Sequence, residues 1–255
     1  MKLKFVLLFI MSSIGIYSQT VLVKYSERRI VSQERLSAMT DFLKKQALET
    51  YYYTLEYNNG ISLYKNNLET KNVDIKETVV IENTTGREET SYKIGNKLIE
   101  KWYYKDFIKN ELLFQIYNGK DFYGNDKLQE WNWQITNETR EINGFKCKKA
   151  TSNSFGYDFT AWFTEDIAVN AGPDKFDGLP GLILYLGTPY YEYVATTVKI
   201  DKNPIVIKKP VLPNETVTMA QVESYVRDKI SKLKPSSTTT VNGSTTTTKS
   251  SIIIK

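Results

Sequence analysis

The chain has 255 residues, with 34 Lys+Arg, 29 Asp+Glu, 13% aromatic residues, one Cys and no His. Without His the sequence excludes a Ser-His-Asp triad, a Cys-His dyad and any imidazole-ligated metal, and a single Cys excludes an internal disulfide. A hydrophobic content of 41% supports a sizeable core, whereas a net charge of +5 is too small to indicate nucleic-acid binding. We therefore expect a folded protein with no transition metal or other cofactor and no nucleic-acid partner.

Residues 1–18 have the pattern of a secretory signal peptide. Lys2 and Lys4 precede an apolar run over 5–11, and a cleavage site follows Ser18. This run is much shorter than the roughly 20 residues of a membrane-spanning helix, and no other segment of the chain approaches that length. We predict that the mature chain begins near Gln19, lacks a transmembrane span and is exported to the periplasm or the cell surface.

The first predicted element of the mature chain is a helix over 27–49. Apolar residues recur there at spacings of three and four, as Leu36, Met39, Leu43 and Ala47.

From residue 51 onward the apolar pattern changes to a period of two, which is typical of strands. The predicted strands are 51–57, 61–64, 79–82, 92–94, 98–104, 112–117, 129–136, 139–142, 145–151, 157–164, 182–186 and 191–200. Turns of Asn and Gly punctuate them, at 58–60, 95–96, 118–119 and 143–144. No helices alternate with these strands, so we predict a mostly β fold, an antiparallel meander-type sheet or an open barrel or bowl of about ten strands.

The last predicted element of the domain is a C-terminal helix that begins at Thr218. Gln221 stands three residues after Thr218, which has the form of a capping box, and Pro235 ends the helix. We predict a single β-rich domain over 19–235. Residues 236–255 are rich in Ser and Thr and are predicted to form a flexible tail, with a glycosylated stalk or spacer as the alternative.

Two of the four Trp residues and the single Cys are predicted to be buried. Trp131 and Trp133 alternate with polar neighbours and share a face with Ile135. Cys147 has no partner for disulfide or dyad chemistry, so we expect a packed thiol.

The most informative stretch runs from Ala161 to Leu184, where a strand ends near Thr164 and a long loop follows. The loop bends at Gly172-Pro173. Pro180-Gly181 suits the central positions of a type II turn, in which Gly takes a positive φ. The strand over 182–186 is apolar on both faces, which predicts that it is buried.

This stretch resembles the GLPGLI family, which is named for the string Gly178-Leu179-Pro180-Gly181-Leu182-Ile183. Further blocks resemble it in the family's order, over 144–151, 161–164 and 172–176, and the resemblance extends over about 20–200. It implies an exported β protein of a Gram-negative envelope, similar to the bowl-shaped N-terminal domain of some secreted peptide N-glycosidases. It implies no established activity. The predicted structural motif consists of Gly172, Pro173, Gly178, Leu179, Pro180 and Gly181.

Trp162, Lys175 and Asp177 are the predicted binding residues of this region. Trp162 lies on the polar side of its strand, where an indole can stack on a sugar or a peptide side chain. In this hypothesis the loop is a preorganised surface for a peptide, a glycan or an outer-membrane partner. In the alternative hypotheses the loop covers Trp162, or it is a plug in which Phe176 and Leu179 point inward.

Acidic residues crowd the same region, and paired carboxylates are the groups that hydrolyse glycosides. They are Asp158, Glu165, Asp166, Asp174 and Asp177. We favour a non-enzymatic binding or accessory role, because acids in loops are more often solvated. A carboxylate hydrolase and a structural or assembly component are the two alternatives. The acids could bind Ca²⁺, although the spacing of an EF-hand loop is missing.

Overall fold

The structure is a computed structural model that describes residues 20–66, 74–83, 86–95, 100–231, 238–241 and 244–247, with side chains described over 20–66 and 100–229. The predicted signal peptide lies outside the described residues. The helices are α1 (Gln33–Ser37), α2 (Asp41–Ala47) and α3 (Met219–Ser231). The strands are β1 (Thr20–Arg29), β2 (Thr50–Asn58), β3 (Ile61–Asn66), β4 (Asp74–Asn83), β5 (Gly86–Gly95), β6 (Trp102–Asp106), β7 (Glu111–Tyr117), β8 (Asp121–Asp126), β9 (Gln134–Ile142), β10 (Phe145–Ser154), β11 (Tyr157–Thr164), β12 (Leu182–Gly187), β13 (Tyr191–Asp201), β14 (Thr238–Val241) and β15 (Ser244–Thr247).

Eleven strands form one open antiparallel sheet, in the order β8-β7-β6-β3-β2-β1-β13-β12-β11-β10-β9. The predicted mostly β, antiparallel fold is confirmed, and the sheet does not close into a barrel. Strand β1 joins two meanders, because it pairs with β2 on one side and with β13 on the other. The pairs β4-β5 and β14-β15 form separate two-stranded sheets.

Asn-Gly turns form tight hairpins where the sequence predicts them. Asn59 and Gly60 have φ angles of 49° and 75° between β2 and β3, and Asn143 and Gly144 have 52° and 80° between β9 and β10. Two successive positive φ angles suit the right-handed twist of the flanking strands. Local conformational preference therefore sets the register of these hairpins.

The predicted helix over 27–49 is wrong in extent. Residues 27–29 belong to β1, and the remainder contains the two short helices α1 and α2. Ser32 and Thr40 each cap a helix, since their side chains accept hydrogen bonds from the backbone N–H groups of Arg35 and Leu43. The second cap interrupts the helical period, and the sequence reading missed strand β1 altogether.

Two further predictions of strands need correction. The predicted strand 129–136 begins only at Gln134, so that Trp131 lies in the preceding loop. The turn predicted at 95–96 lies partly outside the described residues, and β5 pairs with β4 and not with β6. Strand β8 was not predicted.

Helix α3 begins with the predicted capping box. The Thr218 N–H donates to Gln221 Oε1 at 2.8 Å, and the Gln221 N–H donates to Thr218 Oγ1 at 3.3 Å. Val222 is buried, and Tyr225 packs edge-on against Phe122 of β8 at 5.1 Å between ring centroids. The helix therefore covers the β8 end of the sheet.

The predicted flexible tail contains the short β14-β15 pair, and its other residues lie outside the described ranges. The flexibility of this segment stays a prediction. Among the described residues, no helix has the length and apolar character needed to cross a bilayer.

Candidate functional site

Residues 165–181, here called the motif loop, cross the inner, core-lining side of the sheet. The N–H groups of Leu182 and Ile183 donate to the carbonyls of Ile167 and Ala171 at 3.1 and 3.0 Å. Phe176 is 3% exposed and stacks on Trp131 at 4.2 Å between ring centroids, and Leu179 is also buried. The inward orientation of Phe176 and Leu179 agrees with the plug hypothesis.

The position of Gly181 requires glycine, but not because of the positive φ angle that the sequence predicts. Its φ is not positive, so the type II turn with a left-handed Gly181 is wrong. A Cβ at Gly181 would lie 2.0 Å from the carbonyl oxygen of Thr164, at the end of β11. The position therefore requires glycine because two backbone segments touch. Within the string, Gly178 takes the positive φ, at 85°.

A buried ion pair fixes the first bend of the motif loop to the sheet. Lys101 Nζ lies 2.7 Å from Asp174 Oδ2 and 2.9 Å from Glu27 Oε2. Burial alone would raise the pKa of Asp174, but the charges of Lys101 and Lys175 outweigh it and lower the pKa to about 2. Burial likewise opposes the charge of Lys101, yet Asp174 and Glu27 hold its pKa well above the ordinary value. Asp174 and Lys101 are therefore both ionised at neutral pH.

Tyrosines surround this ionic cluster. Lys101 Nζ lies 4.9 Å from the ring centroid of Tyr53, and the Tyr193 hydroxyl donates to Asp174 Oδ2 at 3.2 Å. Burial, followed by the charge of Asp174, raises the pKa of Tyr103 and Tyr193 well above the ordinary value. These phenols stay protonated and act as hydrogen-bond donors and as packing groups.

A second buried pair anchors the motif loop just before the GLPGLI string begins at Gly178. Lys105 Nζ donates to the Phe176 carbonyl at 2.7 Å and lies 3.1 Å from Asp177 Oδ2, without hydrogen-bond alignment to that oxygen. Burial lowers the pKa of Lys105 and raises that of Asp177, and their mutual attraction offsets only part of both shifts. The Trp133 indole N–H donates to the Asp177 carbonyl at 2.8 Å.

The structure does not bring the three predicted binding residues together. Asp177 is only 3% exposed and its partner is Lys105, so it is not part of an accessible recognition surface, contrary to expectation. Lys175 is half-buried beside Asp174. Trp162 alternates with Ala161 and Phe163, which are fully buried, so its side chain points to the outer side of the sheet.

Trp162 lies in an open groove of about 720 Å³ on the outer side of β9–β12. The loop does not cover it, because none of the lining residues belongs to the motif loop. The lining residues are Arg140, Lys149, Gly156, Tyr157, Asp158, Thr160, Trp162, Tyr185, Gly187, Thr188 and Pro189. Strand register aligns three of them, since Trp162 lies directly opposite Lys149 on β10 and Tyr185 on β12.

One cation covers part of both aromatic rings. The guanidinium carbon of Arg140 lies 4.3 Å from the ring centroid of Trp162 and 4.7 Å from that of Tyr185. Such cation–π contacts are individually weak at an exposed site, but two of them restrain the direction of the side chain.

At the opposite end of the groove, Tyr157 lines the wall and contacts a second exposed tyrosine. Tyr157 and Tyr190 are 44% and 58% exposed and meet edge-on at 6.1 Å between ring centroids. Asp158 lies beside them and accepts a hydrogen bond from Asn153 Nδ2 at 2.6 Å. The groove thus combines flat apolar ring faces with polar groups along its length, the usual composition of a ligand site.

Three of the acidic residues near the motif lie against separate lysines. Asp174 and Asp177 are buried against separate lysines, and Glu165 is exposed and pairs with Lys148 at 2.7 Å. Over 20–66 and 100–229, no three Asp, Glu or Cys side chains converge as a cation site. Cys147 is fully buried, and burial raises the pKa of its thiol to about 11 despite the nearby Arg140.

Several site residues escaped the sequence reading. Arg140 and Tyr185 enter the groove from strands that only the sheet register places beside Trp162. Lys101 lies within the predicted strand 98–104 and Lys105 directly follows it. No local pattern distinguishes these two lysines from exposed ones. Alternation did identify the outward direction of Trp162.

Comparison with known proteins shows a match to a family over a short stretch and a similar fold among solved structures. Residues 156–185 match a family described as a protein of unknown function (Porph_ging). Two solved structures of PNGF-II, from different crystal forms, share 16% and 17% identity with TM-scores of 0.50 and 0.47. They cover 82% and 84% of this chain, which spans a third of the length of each PNGF-II chain. No curated protein matches. At this identity the likeness shows the fold alone, and residues 156–185 are similar to a family whose function is unknown.

Proposed function

We propose that the protein is an exported envelope protein that binds a glycan in the groove around Trp162. The observation that carries this proposal is the placement of Trp162 and Tyr185 as direct cross-strand neighbours on the floor of an open groove. Sugar rings have apolar faces that pack on aromatic rings, and their hydroxyl groups hydrogen-bond to neighbouring polar side chains. Asp158, Thr160 and Lys149 are such neighbours.

A glycan suits this groove better than a peptide does. The floor is made of strands β10, β11 and β12, whose backbone groups are already paired within the sheet. A bound peptide strand would need free backbone groups at a sheet edge or deep apolar pockets for its side chains. The groove instead offers ring faces, hydroxyls and charges.

The buried side of the same strands supports a scaffold role for the motif loop. Its anchors, Lys101 with Asp174 and Lys105 with Asp177, stabilise the end of β11 and the start of β12 from the inside. Rigid strands hold Trp162 and Tyr185 in place before a ligand arrives, which lowers the entropy lost on binding. The motif thus contributes to binding indirectly.

Export is part of this proposal, and it rests on residues 1–18. Fractionation with N-terminal sequencing tests it, and we expect a mature chain that begins near Gln19 in the periplasm or at the cell surface. A cytoplasmic chain that retains Met1 would contradict export.

Glycan binding is tested with an array of neutral and acidic oligosaccharides, followed by calorimetric titration of the best ligand. We expect Trp162→Ala and Tyr185→Ala to weaken binding at least tenfold without a large change in melting temperature. Tyr52→Ala is the matched control, because Tyr52 is 59% exposed on β2 and does not line the groove. Unchanged affinity in both groove variants would contradict the proposal.

A further inference from the structure

Among the described residues, Arg140 is a groove-lining cation without an anionic partner. It is exposed on the edge strand β9, and the structure gives its guanidinium no ion pair or hydrogen bond among the described residues. Three carboxylates of this region pair with other cations. Glu138 pairs with Lys149 at 2.9 Å, Glu165 pairs with Lys148, and Glu192 pairs with Arg28.

The rings of Trp162 and Tyr185 both contact this guanidinium and restrain its position. Trp162 and Tyr185 contact it at 4.3 and 4.7 Å, so that contact with the ring faces fixes the side chain while its N–H groups stay unpaired. A planar guanidinium with free N–H groups matches two oxygens of a carboxylate or a sulfate at once. Stacking also reduces the side-chain freedom that would be lost when an anion binds.

Positive and negative side chains lie at opposite ends of the groove. Arg140 and Lys149 lie at the level of Trp162, whereas Asp158 lies four residues earlier on β11, roughly 13 Å away along the strand. An anion at the Arg140 end therefore avoids Asp158, which is left to accept hydrogen bonds from sugar hydroxyls. The rings of Tyr157 and Tyr190 stand at that second end.

We propose that the ligand of the groove is an acidic oligosaccharide, whose carboxylate or sulfate group binds Arg140 while its sugar rings extend toward Tyr157. This inference rests on the proposed glycan-binding function and specifies the class of glycan. It also assigns Arg140 as the residue that determines specificity.

The test compares ligands that differ only in charge. Uronic-acid oligosaccharides are titrated beside the same oligosaccharides after reduction of their carboxyl groups to alcohols, and sulfated oligosaccharides beside their desulfated forms. We expect at least one acidic member to bind the unaltered protein about tenfold or more tightly than its neutral counterpart, since hydrogen bonds to charged groups contribute that much. The pair that shows the preference distinguishes carboxylate from sulfate.

Variants assign the preference to Arg140. Arg140→Gln should abolish the difference between acidic and neutral ligands, and Arg140→Lys should retain part of it, because lysine keeps the charge but loses the planar fork. Lys146→Gln is the matched control, since it removes the same charge from an exposed position on β10 that does not line the groove. Equal melting temperatures would show that all three variants are folded.

The outcomes separate the two proposals. Equal binding of acidic and neutral oligosaccharides that Trp162→Ala abolishes would overturn the acidic-ligand inference and leave glycan binding intact. Absence of binding to every oligosaccharide would overturn both. Binding of an acidic peptide such as poly-glutamate in preference to every oligosaccharide would also overturn both.

Discussion

Asp174 of the motif loop and Lys101, the residue before β6, form a buried ion pair with 2.7 Å between Oδ2 and Nζ. The two residues are 73 positions apart in the chain, and their contact joins the loop to the opposite half of the sheet. Glu27 of β1 completes the cluster. A loop of 17 residues is thereby held to the sheet by charge as well as by apolar packing.

Removing the carboxylate of this pair should destabilise the protein. We expect Asp174→Asn to lower the free energy of unfolding by about 3 kcal/mol at pH 7, because a buried charge loses one of its two partners. Urea denaturation measures the change. Asp166→Asn is the matched control, since Asp166 is an exposed acid of the same loop, and it should shift the midpoint little. Equal shifts in both variants would contradict a structural role for the pair.

The same pair predicts an acid-dependent loss of stability. The pKa of Asp174 is about 2 when folded, below the value of about 3.9 for an unfolded Asp. Its stabilisation is therefore complete above pH 4 to 5 and is lost as the pH falls toward 2. The stability difference between the unaltered protein and Asp174→Asn should shrink over that interval. A difference that stays constant from pH 6 to pH 2.5 would contradict the assigned pKa.

The Lys105–Asp177 pair should show strong coupling in a double-mutant cycle. We expect Lys105→Met and Asp177→Asn each to cost about 3 kcal/mol, because each leaves the other charge buried and unpaired. The double variant removes both charges and should cost clearly less than the sum of the two. Additive effects in urea denaturation would show that the two side chains do not interact.

Substitutions of Gly181 and Gly178 compare the cost of a backbone clash with the cost of an unfavourable positive φ angle. Gly181→Ala should destabilise the fold by about 3 kcal/mol, since its Cβ would overlap the Thr164 carbonyl. Gly178→Ala should cost only about 1 kcal/mol, because its positive φ is unfavourable but its Cβ meets open space apart from Trp133 at 4.0 Å. Thermal or urea denaturation gives the order. A larger cost at Gly178 would contradict the close contact at Gly181.

The single thiol should report unfolding. Cys147 is fully buried and the pKa of its thiol is raised to about 11, so it should resist an aromatic disulfide reagent in the native protein at pH 8. In denaturant, one thiol per chain should react at once. Rapid reaction of the native protein would show that Cys147 is accessible.

Features of the sequence that act locally predicted their structures well. The Asn-Gly turns at 59–60 and 143–144 and the capping box of α3 depend on neighbouring residues only, and they form as expected. Alternation along β11 also placed Trp162 on the outer side. By contrast, β1 pairs with β13 more than 160 residues away, and its pairing has no local signal in the sequence.

The candidate site was only partly predictable, because it depends on strand register. Trp162 could be singled out, but Arg140 and Tyr185 become its neighbours only when β9–β12 assemble. The burial of Asp177 depends on Lys105, whose strand gives no local sign that a lysine points inward. In a sequence, a buried polar residue whose partner is distant along the chain cannot be distinguished from a polar residue exposed to solvent.

The most direct test of glycan binding at the groove is a titration followed by the NMR signals of the four indole N–H groups. The four are Trp102, Trp131, Trp133 and Trp162. Trp102 and Trp131 are buried, the Trp133 N–H is bound to the Asp177 carbonyl, and Trp162 alone lines the groove. We predict that an oligosaccharide identified on the array shifts the Trp162 signal saturably and leaves the other three in place. A bound oligosaccharide that leaves the Trp162 signal unmoved would contradict binding at this groove.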